Sequence, residues 1–302
     1  MFKGFICDAT NEPITPEACL ACARRGALAG CDMTEPVVRG ILTNQRPPDF
    51  GLTVTTLLSC PRKERLKQEV DFYLKPSEAF WTFRGQIIHA GMAAYTGKHD
   101  ITEERFVMLL ETDQGLVKIS GQPDLVYIDQ AHRRLLDYKS TNRLPAEWKS
   151  YTCPESGAVI QEGTTSVRTK WITCPHCPDE RHLTKTVERK FPPRPRSHDA
   201  LQLSLYRLLL AEHGIGIDQG EIIYLDMRRL MRLPVELLPL NEAQRLLEAR
   251  VAQHTTPNLP PPLAAPEEIW QCDFCPVREA CETRHGGPVG RAMLNLVEEE
   301  WR

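Results

Sequence analysis

The sequence lacks an apolar run of membrane-spanning length, and its first residues lack the long apolar segment and cleavage site of a signal peptide. It also lacks an excess of basic charge, since 37 Lys and Arg residues face 40 Asp and Glu residues, for a net charge of −3. A protein that coats nucleic acid through many phosphate contacts is therefore excluded. We expect a cytoplasmic globular protein without a membrane partner, because 41% of its 302 residues are hydrophobic.

Cysteine is present in unusual number, with eleven residues in the chain. Thiols stay reduced in a reducing compartment, so closely spaced cysteines are interpreted first as metal ligands. They fall into an N-terminal group, a middle group, and a C-terminal group that has one distant member. These are Cys7, Cys19, Cys22 and Cys31; then Cys153, Cys174 and Cys177; then Cys60 with Cys272, Cys275 and Cys281. Two or three metal sites are predicted.

The pattern along the chain predicts three regions. Residues 1–48 form a small cysteine-rich module, and residues 49–302 form the main domain. Regular periodicity is lost over residues 146–195, which predicts an insertion within the main domain. Helices are expected at 77–95, 199–213 and 241–254. An antiparallel meander is expected from the β-rich runs 106–112, 116–119, 124–128 and 134–139.

Two acidic motifs lie on neighbouring strands of this meander. Asp124 follows Gly121-Gln122-Pro123 at the start of one strand, and Asp137 lies near the end of the next. Antiparallel neighbours can bring both carboxylates to one edge of the sheet, where hard oxygen donors suit Mg²⁺ or Mn²⁺. Lys139 shares a face with Asp137, because side chains two apart on a strand point the same way. This set predicts phosphodiester hydrolysis, in which Lys139 orients water or stabilises developing charge.

Three further polar residues have both a functional and a structural interpretation. His89 lies on the helix before the meander and could supply a third metal ligand, although a single helical histidine is more often structural. Gln202 and Tyr206 are four apart and therefore share one helical face. They either pack at the edge of the core or position a phosphate and its strand.

In chain order, a lone cysteine, a helical histidine, Gly-x-x-Asp, Asp-x-Lys, Gln-x-x-x-Tyr and Cys-x2-Cys-x5-Cys resemble the PD-(D/E)XK nuclease superfamily. More narrowly, they resemble its iron–sulfur branch, which includes the RecB-like Cas-four exonucleases of CRISPR systems and the nuclease domain of AddB. The resemblance covers about residues 52–145 and 197–283. It implies an α/β fold with a PD-(D/E)XK restriction-endonuclease-like core, a mixed central sheet flanked by helices. Asp137 stands where many relatives carry Glu.

The resemblance also implies roles for individual residues. It implies a catalytic metal bound by His89, Asp124, Asp137 and the carbonyl of Tyr138. It implies further catalytic roles for Lys139, Gln202 and Tyr206. It implies a 4Fe-4S cluster held by Cys60, Cys272, Cys275 and Cys281. From the residues alone, these thiolates accept either zinc or iron–sulfur, and the distant Cys60 favours a staple between the tail and the first helix of the domain.

The other two cysteine groups lie outside the family pattern and suit zinc. The N-terminal four provide a tetrahedral site of four thiolates, which would fold a module too small for a core of its own. The middle group offers three thiols, and its fourth ligand could be His182 or, less readily, His176. Otherwise the middle site is degenerate and held only by packing. The sequence therefore predicts one or two zinc ions.

A basic run at 181–196 is the best candidate for DNA contacts, with a solvated charged loop as the alternative. Its members are Arg181, Lys185, Arg189, Lys190, Arg194 and Arg196. The insertion leaves the main domain soon after Lys139 and returns just before Gln202, so it must lie near the acidic motifs. There it could guide a DNA strand.

The expected function is that of a metal-dependent DNase, acting as an exonuclease on single-stranded DNA ends, with endonuclease activity as the open alternative. The alternative is a non-catalytic nucleic-acid-binding subunit or scaffold, with protein partners in CRISPR adaptation or recombination. The intact set of Asp124, Asp137 and Lys139 favours the enzyme, because a scaffold would not need to retain all three.

Overall fold

The structure is a computed structural model that describes residues 1–26, 28–43, 51–128, 132–163, 171–174, 177, 183–185, 187–265 and 268–290. Two predicted site residues, Arg181 and His182, lie outside the described residues, as does the side chain of Lys185. Among the described helices, none is long and apolar enough to cross a membrane.

The elements follow in chain order. The N-terminal part contains β1 (Phe2–Ile6), β2 (Pro13–Ile14), α1 (Pro16–Arg24) and α2 (Glu35–Thr43). The main domain begins with β3 (Leu52–Thr53), α3 (Val54–Leu57), α4 (Pro61–Glu69), β4 (Phe72–Leu74) and α5 (Pro76–Ala93). Next come β5 (Ile101–Thr102), β6 (Phe106–Thr112), β7 (Gly115–Gly121), β8 (Leu125–Ile128) and β9 (Arg133–Ser140).

The second half of the chain begins with the insertion. It contains β10 (Trp148–Thr152), β11 (Val159–Gly163), β12 (Trp171–Thr173), β13 (Leu183–Lys185) and β14 (Val187–Phe191). The main domain resumes with α6 (Ser197–Glu212), β15 (Gln219–Leu225), β16 (Leu230–Val235) and α7 (Leu240–Thr255). A 3-10 helix (Ile269–Cys272) and α8 (Arg278–His285) follow.

The acidic motifs lie on a five-stranded mixed sheet with the strand order β16-β15-β9-β8-β5. Strands β9 and β15 are parallel, with Asp137 opposite Ile222, whereas the other neighbours are antiparallel. Parallel neighbours require a crossover connection, which the insertion and α6 provide. The fold is therefore α/β with a mixed sheet, as expected.

Helices cover both faces of this sheet. Successive side chains of β9 point to opposite faces, and each face packs in its own apolar cluster. Leu135 belongs to the main core, which residues of α3, α6 and α7 complete. Leu136 points the other way and packs in a smaller cluster with Ile88 of α5. Asp137 follows on the α6 side and is only 1% exposed. An ionisable side chain is thus held inside the core of the domain.

The predicted single meander is wrong, because its strands belong to two sheets. Strands β6 and β7 pair with each other and with β3, while β8 and β9 pair within the five-stranded sheet. The chain changes sheets between Gly121 and Leu125. Pro123 lies there and has no N–H with which to continue the ladder.

The insertion contains more regular structure than its sequence indicated. Strand β10 pairs with β11 and β14 in a three-stranded antiparallel sheet, and β12 pairs with β13. The apolar alternation that marks a half-buried strand is missing, since in β10 the buried neighbours are Ser150 and Tyr151. Short strands of this kind cannot be recognised by their periodicity.

The N-terminal module is packed against the main domain. Strand β1 pairs in parallel with β4, so the sheet β2-β1-β4 spans both regions. A small core forms around Phe5, Cys19, Val38 and Ile41. Asp8 also accepts hydrogen bonds from the backbone N–H and the hydroxyl of Ser77, at 3.1 and 2.6 Å. The module therefore contacts the first turn of α5.

Candidate functional site

Residues of two motifs form one continuous chain of polar contacts. Strand β9 directs Asp137 and Lys139 towards α6, where Lys139 Nζ lies 2.6 Å from Asp137 Oδ2. The same ammonium donates a hydrogen bond to Gln202 Oε1 at 2.8 Å. Gln202 Nε2 in turn donates to the hydroxyl of Tyr206 at 2.9 Å. The structure thus brings together four of the residues that the sequence singled out.

Burial dominates the electrostatics of this chain of contacts. Burial raises the pKa of Asp137, and the nearby ammonium of Lys139 opposes this rise only in part. Burial lowers the pKa of Lys139, but the carboxylates of Asp137, Asp199 and Asp124 raise it by more, so the pKa is raised overall. Lys139 therefore remains an ammonium that is fixed in position, with its side chain 22% exposed.

A second group lies around His89, which α5 carries to the other side of β9. Its Nδ1 lies 3.1 Å from Asp124 Oδ1, and its Nε2 lies 2.9 Å from the Tyr138 carbonyl oxygen. The second oxygen of Asp124 accepts a 2.6 Å hydrogen bond from the backbone N–H of Tyr138. Three of the four predicted metal ligands are therefore neighbours.

Glu103 belongs to this second group, although sequence reasoning missed it. Its Oε1 lies 3.9 Å from His89 Nδ1, and the candidate ligand atoms of His89, Glu103 and Asp124 all lie within 4.8 Å of one another. Glu103 adopts a positive φ of 51° between β5 and β6. Its other oxygen accepts a 2.6 Å hydrogen bond from Gln122. Its only sequence signal was an acidic pair, Glu103-Glu104, which is common before a strand.

The donor set fits a hard divalent cation. Carboxylate and carbonyl oxygens are the ligands that suit Mg²⁺ and Mn²⁺, whereas the imidazole nitrogen of His89 is a softer ligand beside them. Asp137 lies outside the tight His89 group, and its buried Oδ2 lies 2.6 Å from the Lys139 ammonium, which leaves the other acceptor positions of this carboxylate for a cation. A buried carboxylate oxygen with spare acceptor capacity is what a nearby cation would use.

The described residues of the basic run differ in their surroundings. Arg196 donates hydrogen bonds to Thr141 Oγ1 and to the Arg143 carbonyl, at 2.9 and 3.1 Å, so its guanidinium joins the two ends of the insertion. Arg194 lies over the ring of Phe191. Lys190 is 60% exposed beside Glu188. The exposed part of the run near β14 also includes Arg189.

The C-terminal cysteines converge as expected. Cys60, Cys272, Cys275 and Cys281 line one cavity beside α4. Burial raises the pKa of Cys272 to about 11, and the thiols of Cys60, Cys275 and Cys281 add to the rise. Arg62, only 5% exposed, donates to Cys281 Sγ at 3.0 Å and to the Pro260 carbonyl at 2.8 Å. These contacts attach the tail to α4.

The N-terminal cysteines converge as well. Cys7, Cys19, Cys22 and Cys31 line one cavity, which is closed on one side by Ile14 and Met33. Burial raises the pKa of Cys19 to about 11, with further contributions from the thiols of Cys31, Cys22 and Cys7. All four predicted ligands therefore surround the same space.

The middle cysteines are the most closely spaced group. The sulfurs of Cys153, Cys174 and Cys177 all lie within 4.8 Å of one another. The Ser156 hydroxyl occupies the fourth side, with its oxygen 3.4 Å from Cys174 Sγ. A hydrogen bond from Ser156 is also the main cause of a lowered pKa at Cys153. His176, like His182, lies outside the described residues.

Comparisons with known proteins yield little. No family model matches the chain, and no curated protein matches it. Seventeen chains of solved structures match. Among them is the crystal structure of SSO0001, which is 16% identical with a TM-score of 0.49, and the match covers 82% of this chain and 94% of that chain. This likeness is too low to assign a family or a function.

Proposed function

We propose that this chain is a metal-dependent deoxyribonuclease with a PD-(D/E)XK core. Its substrate is single-stranded DNA, which it degrades from an end as an exonuclease. The observation that carries the proposal is the chain of contacts from Asp137 through Lys139 to Gln202, next to the His89 group across β9. Each member is charged or strongly polar, and Asp137 and Gln202 are buried.

The metal ligands would be His89, Asp124, Asp137 and the Tyr138 carbonyl, with Glu103 as an additional carboxylate at the same place. A bound Mg²⁺ or Mn²⁺ would polarise the phosphoryl oxygen and lower the pKa of its water. The protein contributes preorganisation, because the backbone N–H of Tyr138 fixes one oxygen of Asp124 while the other faces His89.

Lys139 is the residue suited to stabilise negative charge on the phosphate. Its ammonium is held by Asp137 on one side and Gln202 on the other, so it need not reorient as charge develops. Tyr206 accepts from Gln202 and leaves the Gln202 oxygen directed at the ammonium. Gln202 and Tyr206 are accordingly positioning residues for Lys139.

The cysteine groups would support this domain. The C-terminal four would hold a 4Fe-4S cluster that staples the tail to α4, and the middle three would hold zinc in the insertion. Arg189, Lys190 and Arg194 on and after β14 would contact DNA phosphates. A protein complex that processes DNA ends, as in CRISPR adaptation, would supply any unwinding.

The test is cleavage of end-labelled single-stranded DNA with Mn²⁺ by the wild type, by Asp137→Asn and by Asp113→Asn. Asp113 is an exposed carboxylate on the turn between β6 and β7, so it is the matched control. We expect Asp137→Asn to lose roughly 100-fold or more in rate, while iron content and circular dichroism stay unchanged. Asp113→Asn should cleave normally.

Circular single-stranded DNA distinguishes the mode of attack, since an exonuclease leaves it intact. Undiminished cleavage by Asp137→Asn contradicts the proposed site. DNA binding by the wild type without any cleavage would favour the scaffold over the enzyme.

A further inference from the structure

The three cysteine groups differ in how far apart their sulfurs lie. In the middle group, Cys153 Sγ and Cys177 Sγ are 3.5 Å apart, and the third sulfur lies within 4.8 Å of both. A single zinc ion with zinc–sulfur distances near 2.3 Å requires tetrahedral ligand sulfurs about 3.8 Å apart. The middle group therefore has the spacing of a one-ion site.

The sulfurs of the N-terminal group lie farther apart than those of the middle group. Among the described residues, which include all four of these cysteines, no three of Cys7, Cys19, Cys22 and Cys31 bring their sulfurs within 4.8 Å of one another. They nevertheless surround one cavity. The ligand sulfurs of a four-iron cluster lie outside the irons, roughly 6 Å apart, so they need this wider spacing.

The N-terminal site resembles the C-terminal site more than the middle one. The C-terminal four cysteines also fall outside the 4.8 Å groups among the described residues. The cavity lined by each set of four is similar in size, about 330 Å³ at the N-terminal site and about 360 Å³ at the C-terminal site, open solvent included. Both sites therefore offer four cysteines around a cavity of similar size, and in neither are three sulfurs as close together as in the middle group.

The local chain brings two of the four cysteines onto one face of a helix. Cys19 and Cys22 are three apart on α1 and therefore share a face, while Cys7 follows β1. Apolar side chains, among them Ile14, line part of the wall.

We infer that Cys7, Cys19, Cys22 and Cys31 hold a second iron–sulfur cluster, of the four-iron type, in place of the zinc ion that their sequence suggested. The ligands are the four thiolates, and the class of cofactor is the same as that proposed beside α4. The inference rests on the 4Fe-4S cluster proposed beside α4 but makes no use of the nuclease reaction, so an absence of DNA cleavage alone would not contradict it.

The experiment measures iron, zinc and acid-labile sulfide in the full-length protein after anaerobic purification. We expect about eight iron atoms with matching sulfide and about one zinc per chain. About four iron atoms and two zinc would overturn the inference without any variant, and so would iron in a ratio that fits a two-iron cluster.

Three matched variants locate each metal. Cys19→Ser/Cys22→Ser should lose about half of the iron and of the absorbance near 400 nm, and Cys272→Ser/Cys275→Ser should lose the other half. Cys153→Ser should lose zinc and keep its iron. A Cys19→Ser/Cys22→Ser protein that keeps all of its iron and loses a zinc ion would refute the second cluster.

Discussion

Replacing Gly121 by alanine tests the packing that joins β7 to the chain of contacts at Lys139. Gly121 ends β7 where α6 passes very close to the backbone. A Cβ at this position would lie 2.9 Å from Tyr206 Cε1 and 3.0 Å from Leu209 Cδ2. Only glycine fits without movement of a neighbour.

The size of the effect follows from how little the neighbours can yield. Tyr206 is 5% exposed and Leu209 is 1% exposed, so neither side chain can swing into solvent. To remove the clash, Tyr206 must move by about 0.5–1 Å, so that its distance from the new Cβ rises from 2.9 Å to an ordinary contact of 3.4–4 Å. Overpacking of a core by one methyl group costs about 1–3 kcal/mol, which corresponds to a fall in Tm of roughly 2–12 °C.

The same shift of Tyr206 should also lower the rate of DNA cleavage. Tyr206 accepts the hydrogen bond that orients Gln202, and Gln202 fixes Lys139. Misplacement of a reacting group by about 1 Å can cost about 100-fold in rate. We therefore expect Gly121→Ala to cleave single-stranded DNA roughly 10–100-fold more slowly than the wild type.

Thermal unfolding and cleavage are measured together, with Gly91→Ala as the matched control. Gly91 lies in α5, where an added Cβ would meet no neighbouring atom within 4 Å, so alanine should raise helix stability by up to about 1 kcal/mol. An unchanged Tm for Gly121→Ala would refute the packing argument. A lowered Tm with normal cleavage would refute the proposed effect of Tyr206 on Gln202 and Lys139. In a protein that already carries Tyr206→Ala, Gly121→Ala should lower the Tm and the cleavage rate by less.

Three further predictions concern other parts of the molecule. Glu103→Gln should raise the Mn²⁺ concentration for half-maximal cleavage by about tenfold or more, because it removes a charge beside His89, whereas exposed Glu104→Gln should not. Arg62→Met should destabilise the tail by roughly 2–3 kcal/mol, through loss of its buried hydrogen bonds, and limited proteolysis should then release residues after 260 faster. Ser156→Cys should strengthen zinc retention against a chelator, because its oxygen already lies 3.4 Å from Cys174 Sγ; equal retention would place the fourth ligand elsewhere.

The helices of the main domain were predictable from sequence because their patterns are long and local. The bounds of α5, α6 and α7 are confirmed to within two residues at either end. The pairing of Asp137 with Lys139 was predictable for the same reason, since a two-residue period on one strand fixes their shared face. The division of the meander into two sheets was missed, although Pro123 lies where the chain passes from one sheet to the other.

Glu103 shows why the site itself was only partly predictable. Glu103 reaches His89 from a turn with positive φ, and the distance between the two side chains depends on how this turn packs against α5. Arg196 shows the converse. Its sequence context indicated a phosphate contact, but the folded chain directs its guanidinium to Thr141 and Arg143. Arg196 is exposed, so its role as a DNA contact stays a prediction, but the sequence did not indicate these two partners.

The N-terminal and middle cysteine groups each lie one element away from a residue of the proposed site. The N-terminal module bonds through Asp8 to Ser77 at the start of α5, which carries His89. The middle group lies in the insertion between β9 and α6, whose junction Arg196 closes at Thr141. The C-terminal group bonds through Cys60 N–H to Gln271 and so ties the tail to α4. Because metals in the N-terminal and middle groups would rigidify elements that border the proposed site, loss of either metal should alter cleavage without removing a residue of that site.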